Sequence, residues 1–565
     1  MSYPVVSDNN FNDKFTKKFR SYKIPDKKKP FRQICFPSVY ELQPQQKLLA
    51  QVINPKSPYK GILVFHNIGS GKTCTAITMC EQWKGKKRIV WVCPASLIGN
   101  TRDELRSPCT GTTYISKKER DLLKQLNPSD KEYLRIIRES DKKIDKYYNI
   151  YSYNKFVKLI KTNKLRLRNT LLVVDEVQNM ISDGGIYYQY LNQSIIEATG
   201  THIVLLSATP IYDSITEIPL LLNLLPLPEK FPTAGKFIRE YTYTKEHRTY
   251  TEHRSQNLDE FKKNIQGFIS YFPGAPSYTY PEKKIHYVRS YMEPFQYKAY
   301  QAAQRKERKK HKGKLVIDGQ LGKLSSSFFL GTRLMSNICF PNKKINKDAI
   351  DSLDGIKIES LQKYSIKFYK VFKKIKQAER SVLVYSNFIR FGIESFAKVL
   401  EENGYVNFQN GQKKNKTFAI FSGNESREYK NKIRNTFNNI NNVYGESIKI
   451  MLLSPSAAEG VSFLNISQLH ILEPYWNMSK IYQIMGRGVR FCSHKNLTKD
   501  DRVVDIYIYK AVHESEKMSI DEYILKIADK KDGLIKEFER AMIEASIDCE
   551  LNKNLFDDKT IECGV

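Results

Sequence analysis

Four short runs, GILVF (Gly61–Phe65), RIVWVC (Arg88–Cys93), LLVVD (Leu171–Asp175) and HIVLLS (His202–Ser207), are apolar almost throughout. Successive side chains of a strand point to opposite faces, so such a run is stable only where both faces are covered. Parallel sheets flanked by helices provide that setting. Longer polar stretches with helical patterning separate the runs, which gives a βαβ rhythm and an open α/β sheet. The rhythm returns at Ser381–Tyr385, Phe418–Phe421, Ile448–Leu453 and Leu469–Leu472, so two α/β halves are expected. Proline clusters (Pro226, Pro228, Pro232, then Pro273, Pro276, Pro281) place the end of the first half near residue 230. The expected division is a basic extension over 1–38 and a first lobe over 39–230. A linker with a helix-rich basic insertion follows over 231–375, then a second lobe over 376–515 and a helical tail over 516–565.

No apolar run reaches the ~18–20 residues of a spanning helix. The start, MSYPVVSDNN, has no basic and apolar leader pattern, so no secretory signal is expected. Nine cysteines form no CxxC pair, which reads as reduced, intracellular thiols and argues against a zinc module. The 92 Lys and Arg against 60 Asp and Glu give a net charge of +32. Such a charge suits a polyanionic partner, because cations displace the counterions of phosphates; a merely lysine-rich surface would carry it too. Lys14 to Arg32 holds nine basic residues and Arg305 to Lys314 seven, whereas the last 25 residues are acidic.

The sharpest motif follows the first strand: His66-Asn67-Ile68-Gly69-Ser70-Gly71-Lys72-Thr73. Small residues let backbone N–H groups close on phosphate oxygens, Lys72 supplies a cation and Thr73 a hydroxyl for Mg²⁺. His66 stands where such phosphate loops usually begin with glycine. About a hundred residues on, the strand LLVVD ends in Asp175-Glu176, at the sheet edge where open α/β folds bind ligands. Asp175 is expected to hold hydrated Mg²⁺ and Glu176 to orient and deprotonate the attacking water. Ser207-Ala208-Thr209-Pro210 closes a fourth strand, with Ser207 and Thr209 able to bond the acidic pair. Far downstream lies Gln483-Ile484-Met485-Gly486-Arg487-Gly488-Val489-Arg490, whose two arginines, read as helical neighbours, can reach one triphosphate.

These four elements in this order resemble the superfamily 2 helicases and translocases. The resemblance, over roughly residues 40 to 512, implies two RecA-like parallel-sheet lobes in tandem that clamp ATP. The chain's own patterning adds a helical insertion and a short helical C-terminal tail to that α/β fold. Further matches carry the family's roles to this chain. Leu42-Gln43-Pro44-Gln45-Gln46 looks like the upstream glutamine motif, with Gln46 on the adenine edge. Pro94, Ser96 and Asn100, Tyr153 and Asn154, Ser386 and Asn387, and Ser456 and Gly460 fall in segments that touch nucleic acid in the family. Gln178, Ser207, Thr209 and Glu459 would couple nucleotide state to that track. Arg333 to Cys339 and Glu473-Pro474-Tyr475-Trp476-Asn477 look like elements of the Swi/Snf-type remodellers.

The combination HNIGSGKT, DEVQN, SATP and QIMGRGVR is most similar to a poxvirus-type group. That group contains nucleoside triphosphatase I, the early transcription factor small subunit, and relatives in large DNA viruses and cytoplasmic linear plasmids. The resemblance implies ATP and Mg²⁺ as cofactors, DNA or RNA as partner, and an RNA polymerase or transcription-factor subunit alongside. It implies no membrane, and a cytoplasmic place in a virus factory or a virion. The expected activity is nucleic-acid-stimulated ATP hydrolysis coupled to translocation in transcription. A promoter-binding initiation factor that uses ATP for release, or an RNA helicase, are the alternatives.

Overall fold

The computed structural model describes residues 2–8, 10–25, 29–246, 251–310, 327–455 and 460–564. The chain divides into two units, Met1–Pro276 with Gly533–Val565, and Ser277–Asp532.

In the first unit the apolar runs become strands β1 (Gly61–His66), β2 (Arg88–Cys93), β3 (Tyr148–Ser152), β4 (Thr170–Asp175) and β5 (His202–Ser207). A small antiparallel hairpin, β6 (Thr242–Glu246) and β7 (Thr251–Ser255), precedes β8 (Ile269–Phe272). Six of them form one sheet in the order β3-β2-β4-β5-β1-β8, with every pairing parallel. β1 and β4 are buried along their whole length, as runs without polar alternation require. Because all six strands run the same way, the loops after β1, β4 and β5 leave from one edge.

The basic N-terminal segment is partly the wet face of a helix. In Phe11–Phe19 the three phenylalanines at positions 11, 15 and 19 form a buried stripe against the first core. Lys14 and Lys18 turn outward, to Asp8 at 3.0 Å and over the Tyr3 ring at 4.3 Å. Lys27 and Lys28 of that basic run, and Lys312 and Lys314 of the other, lie outside the described residues.

The first unit extends beyond residue 230. β8 pairs with β1 from Leu63↔Ile269 to His66↔Phe272, and chain beyond residue 533 packs beside it. Phe538 sits on Phe237 and Phe261 at ring distances of 5.8 and 5.4 Å, and Ile547 donates its N–H to Ile269.

The second unit contains β9 (Glu282–Tyr291), β10 (Val382–Tyr385), β11 (Val406–Asn407), β12 (Thr417–Phe421), β13 (Ile450–Leu453), β14 (Gln468–Ile471) and β15 (Val503–Val512). Their order is β11-β12-β13-β10-β14-β15-β9, again with every pairing parallel. Two apolar clusters cover its faces. Leu383, Met451, Leu469 and Ile506 point to one, and Val382, Val384, Ile450 and Tyr507 to the other. The helix Ile520–Glu544 begins in this unit, where Ile520, Tyr523, Ile524 and Ile527 join a third cluster. Among the described residues no helix is long and apolar enough to cross a membrane.

Candidate active site

The loop after β1 turns through two glycines in the left-handed region, Gly69 at φ 80° and Gly71 at φ 81°. At Gly71 a side chain would be strained and would also lie 2.9 Å from the Gln46 amide nitrogen. The helix Lys72–Glu81 then starts at once. Lys72 Nζ donates to the loop's own carbonyls, His66 at 3.0 Å and Asn67 at 3.5 Å. Asn67 is fastened to the β8 end, its N–H on the Phe272 carbonyl and its side-chain amide on that of Pro273. Ile68 is half-buried, and the buried Ser70 hydroxyl has no partner among the described residues. A helix N-terminus, an ammonium and an orphaned buried hydroxyl make this loop a fit cradle for phosphate oxygens.

Gln46 is buried beside this loop. Its Oε1 accepts the Gln43 N–H at 2.9 Å and its Nε2 donates to the Gly71 carbonyl at 3.5 Å.

His66 explains the departure at the loop's first position, because its side chain belongs to the core. Its Nε2 lies 3.0 Å from Ser270 Oγ on β8, and Ser270 donates at 2.6 Å to Asp548. With the hydroxyl proton spent on Asp548, His66 Nε2 is the donor. Burial, reinforced by Lys72, lowers the imidazole to about 3, so the ring is neutral.

At the end of β4, Asp175 is buried and accepts the Glu176 N–H on Oδ1 at 3.0 Å. Burial first, then the Glu176 charge, raise its carboxyl to about 7 against the pull of Lys72. The Thr73 hydroxyl and the Asp175 carboxylate are hard oxygen donors, and a cation would favour the ionised form of so buried an acid. The pair therefore fits Mg²⁺. Glu176 adopts φ 52°, ψ 47°, uncommon for a residue with a Cβ. Its strain is supported from both sides. Gln178 Nε2 donates to Glu176 Oε2 at 2.6 Å while Gln178 Oε1 accepts the Ser207 hydroxyl at 2.7 Å. The Ser207 oxygen in turn accepts the Thr209 N–H at 3.0 Å. Gln178, Ser207 and Thr209 thus join the acidic pair in one hydrogen-bonded chain.

Tyr153, expected on a nucleic-acid loop, is buried and donates to the carbonyls of Asp175 at 2.7 Å and Glu176 at 2.9 Å. Its neighbour Asn154 is exposed and accepts from Tyr187. Pro94 is buried at the end of β2, Ser96 is exposed, and Asn100 half-buried lies in the helix Ile98–Leu105.

In the second unit, the two elements that resemble remodeller sequences meet. Asn337 donates to Glu473 at 3.0 Å, and the Arg333 guanidinium lies 4.8 Å above the Trp476 ring. Ser386 is fully buried and bonds both Glu473 oxygens at 3.0 and 3.1 Å, while the Asn387 N–H donates to the same carboxylate. The fully buried Lys367 pairs with Asp521 at 2.7 Å and donates to Asn337 at 3.0 Å. Sequence reading missed this buried network, because Lys367 is one of five lysines on the helix Ile366–Gln377 and nothing local marks it as the buried one. Ser456 and Glu459 lie outside the described residues, and Gly460 takes φ 70°.

Gln483 lies in the helix Met478–Met485, but Arg487 and Arg490 do not share it. The expected helical neighbours sit instead on the turn beyond. The helix ends on Gly486, and at Gly488 a side chain would come within 2.2 Å of Ile466, so only glycine fits there. The turn is held firmly. Phe463 donates to the Arg487 carbonyl at 2.9 Å, and Arg490 donates to the Gly486 carbonyl at 2.7 Å and to the Ser462 hydroxyl.

The cysteines correct one expectation. Cys74 is joined to Cys109 and Cys549 to Cys563, across 35 and 14 residues of sequence, while Cys80, Cys93 and Cys339 are free and buried. The first pair forms because the turn Pro108–Thr110 packs on the start of the helix Lys72–Glu81, a proximity no spacing signature reveals.

Residues 44–350 match the SNF2-related domain and residues 357–492 the helicase conserved C-terminal domain. A protein of Acanthamoeba polyphaga mimivirus, R563, named as an ATP-dependent RNA helicase, is 46% identical over 98% of this chain and 97% of its own. An uncharacterised killer plasmid pGKL-2 helicase of Kluyveromyces lactis is 24% identical over 89% of this chain and 69% of its own. A termination factor NPH-I homolog of African swine fever virus is 23% identical over 87% and 77%.

Proposed function

Since the chain belongs to the SNF2-related helicases, in the group that includes proteins of large DNA viruses, we propose that it is a DNA-stimulated translocase serving viral-type transcription. That it is a nucleic-acid-dependent ATPase of the helicase type follows from the family. The observation that supports coupled hydrolysis is the chain Glu176–Gln178–Ser207, which ties the acid beside the phosphate loop to the end of β5. A carboxylate so tethered can report movement elsewhere in its unit to the reacting water.

In the proposed reaction Lys72 holds the outer phosphates and Glu176 takes the proton of the attacking water. Thr73 and Asp175 would hold Mg²⁺, which when bound supplies charge neutralisation on the phosphate oxygens. Gln46 reads the adenine edge, while Asn67, Ile68, Gly69, Ser70 and Gly71 line the phosphates. Gln483, Arg487 and Arg490 supply the groups that meet charge developing on the transferred phosphoryl. Pro94, Ser96, Asn100, Asn154, Asn387, Ser456 and Gly460 belong to segments that follow the nucleic-acid backbone, with Glu459 and Thr209 in coupling. Contacts of that kind go to phosphates, so binding is sequence-tolerant and falls steeply with salt. Transcription is favoured by the name of the African swine fever virus relative, and a polymerase or transcription-factor subunit in the virus factory or virion is the partner it suggests.

The mimivirus relative's name favours a second reading, action on RNA. ATPase rates with no nucleic acid, single-stranded DNA, duplex DNA and RNA, beside a strand-displacement assay, test both. The leading reading expects the greatest stimulation by DNA. Stimulation by RNA alone would replace it with the second.

A further inference from the structure

Strand β9 lies at one end of the second sheet. It pairs with β15 over ten residues, Val503↔Glu282 to Val512↔Tyr291, and with no other strand among the described residues. Glu282 donates its N–H to Arg502 and Met292 donates to Val512. The even-numbered residues therefore face β15, and Lys283, Ile285, Tyr287, Arg289 and Tyr291 turn their backbone groups outward, since alternate residues face opposite sides of a strand. Lys370 donates to the outward carbonyl of Arg289 at 2.6 Å, as that register demands.

Soluble proteins usually shorten, bulge or cover such an edge, or place proline on it. This one is nearly twice the ordinary strand length of about 5–6 residues, with an unbroken register and no proline. Its outward residues are not all gatekeepers either. Ile285, Tyr287 and Tyr291 are 43%, 48% and 47% exposed. Two acids of the helix Ile520–Glu544, Asp529 and Asp532, face Tyr287, and Asp532 accepts the Tyr482 hydroxyl at 3.2 Å. The positive charge is at the start of the strand. Lys283 and Lys284 form no ion pair among the described residues, and Lys510 lies 5.7 Å above the Tyr287 ring. The other acids at hand are engaged, Glu522 with Arg289 at 3.4 Å and Asp505 with His286 at 2.7 Å.

We propose that β9 is a docking edge for an extended acidic segment of a partner protein, which adds to the sheet as an eighth strand. The backbone groups of Lys283, Ile285 and Tyr287 pair with the segment. Its apolar side chains cover Ile285 and Tyr287 on one face and its carboxylates meet Lys284 on the other, with Lys283 adding to the positive charge at the start of the strand. A second copy of this chain fits poorly, because Lys283, Lys284 and Arg289 against Glu282 would face the same excess of positive charge.

The test uses the full chain and three blocked, fluorescein-labelled ten-residue peptides, followed by anisotropy. One alternates Glu and Val, one Glu and Pro, and one Lys and Val. The Glu–Pro peptide keeps the charge but lacks N–H donors, and the Lys–Val peptide keeps the ladder but reverses the charge. The Glu–Val peptide is expected to saturate and to bind at least about tenfold tighter than either control. Ile285→Pro removes an outward donor that β15 does not use, so the fold and basal ATPase persist while peptide affinity drops about tenfold or more. The double change Lys283→Glu with Lys284→Glu gives the same loss without touching the backbone. Absence of saturable binding, equal binding of the Glu–Pro or Lys–Val peptide, or affinity unchanged in both variants would overturn the proposal. So would a dimer seen by sedimentation that Ile285→Pro dissolves, because the occupant would then be a second copy.

Discussion

Ser207 donates its hydroxyl to Gln178 Oε1 at 2.7 Å, and through that glutamine it holds the Glu176 carboxylate in place. Ser207 ends β5 and Gln178 lies in the turn Val177–Met180 that follows β4, so the acid's orientation depends on β4 and β5 keeping their mutual register.

Glu176→Gln should stop hydrolysis while keeping ATP and nucleic acid bound. Gln preserves shape and can still bond Gln178, but it cannot take a proton. Filter binding with ATP present should show retention at least equal to the parent. Weaker retention counts against Glu176 as the base.

Lys72→Ala should lower the hydrolysis rate by several orders of magnitude, each ~1.4 kcal/mol of lost transition-state contact being about tenfold. Lys72 is half-buried and its ammonium lies on loop carbonyls, not in a core, so circular dichroism should be unchanged. A variant as active as the parent would remove the phosphate-loop assignment.

Tyr153→Phe separates two roles for one residue. The lost hydroxyl leaves two carbonyls beside a strained Glu176 short of a donor, at a cost of about 1–3 kcal/mol. Thermal stability and kcat should both fall, with nucleic-acid affinity nearly constant. Loss of affinity at unchanged Tm would instead place the ring on the nucleic-acid track.

Arg487→Ala is expected to cut the basal rate by a factor on the order of 10³, as for other arginine fingers, with a much smaller effect on ATP affinity. Lys should rescue poorly, lacking the planar fork. The Arg490→Ala variant should lose stability as well, since that guanidinium also braces its own turn. Unchanged basal hydrolysis in Arg487→Ala would exclude a finger.

Asp548 should leave a mark on the pH dependence of stability. Burial raises its carboxyl from 3.8 to about 6, against bonds from Ser270 and Tyr271. The folded chain therefore holds this proton more tightly than the unfolded one. That stabilisation is complete below about pH 3.8 and is lost as pH rises through about 6, in all about 3 kcal/mol at 1.36 kcal/mol per unit. Asp548→Asn does not titrate, so its urea resistance relative to the parent should improve from about pH 3.8 to about pH 6 and then level off. A difference constant across that range would contradict the buried, protonation-linked carboxyl.

The central strands and their motifs were legible because each carries its own reason. GILVF and LLVVD have no polar alternation, and Gly69 and Gly71 occupy backbone conformations that disfavour other residues. β8 was not legible. ISYF has only four residues, and Pro273 and Pro276 after it read as punctuation, whereas its place beside β1 is set by residues 533–565. Ser386 was expected on the nucleic-acid track from the family resemblance, and its burial has no local signal in the sequence. Its burial depends on Glu473, 87 residues away. The end of the helix before Arg487 falls at Gly486, a stop signal inside QIMGRGVR that the helical reading of the two arginines passed over.

The segment 533–565 packs on the first unit, yet the ribosome makes it only after the whole second unit has emerged. Until then Ile269 lacks the Ile547 N–H, the Ser270 hydroxyl lacks the Asp548 carboxylate it donates to, and Phe237 and Phe261 lack Phe538. The nascent first unit must therefore wait, incomplete, through the synthesis of more than 250 residues. Its long-range closure makes its maturation a late event, and a message cut short within the second unit would yield a phosphate loop whose supporting strand is never locked.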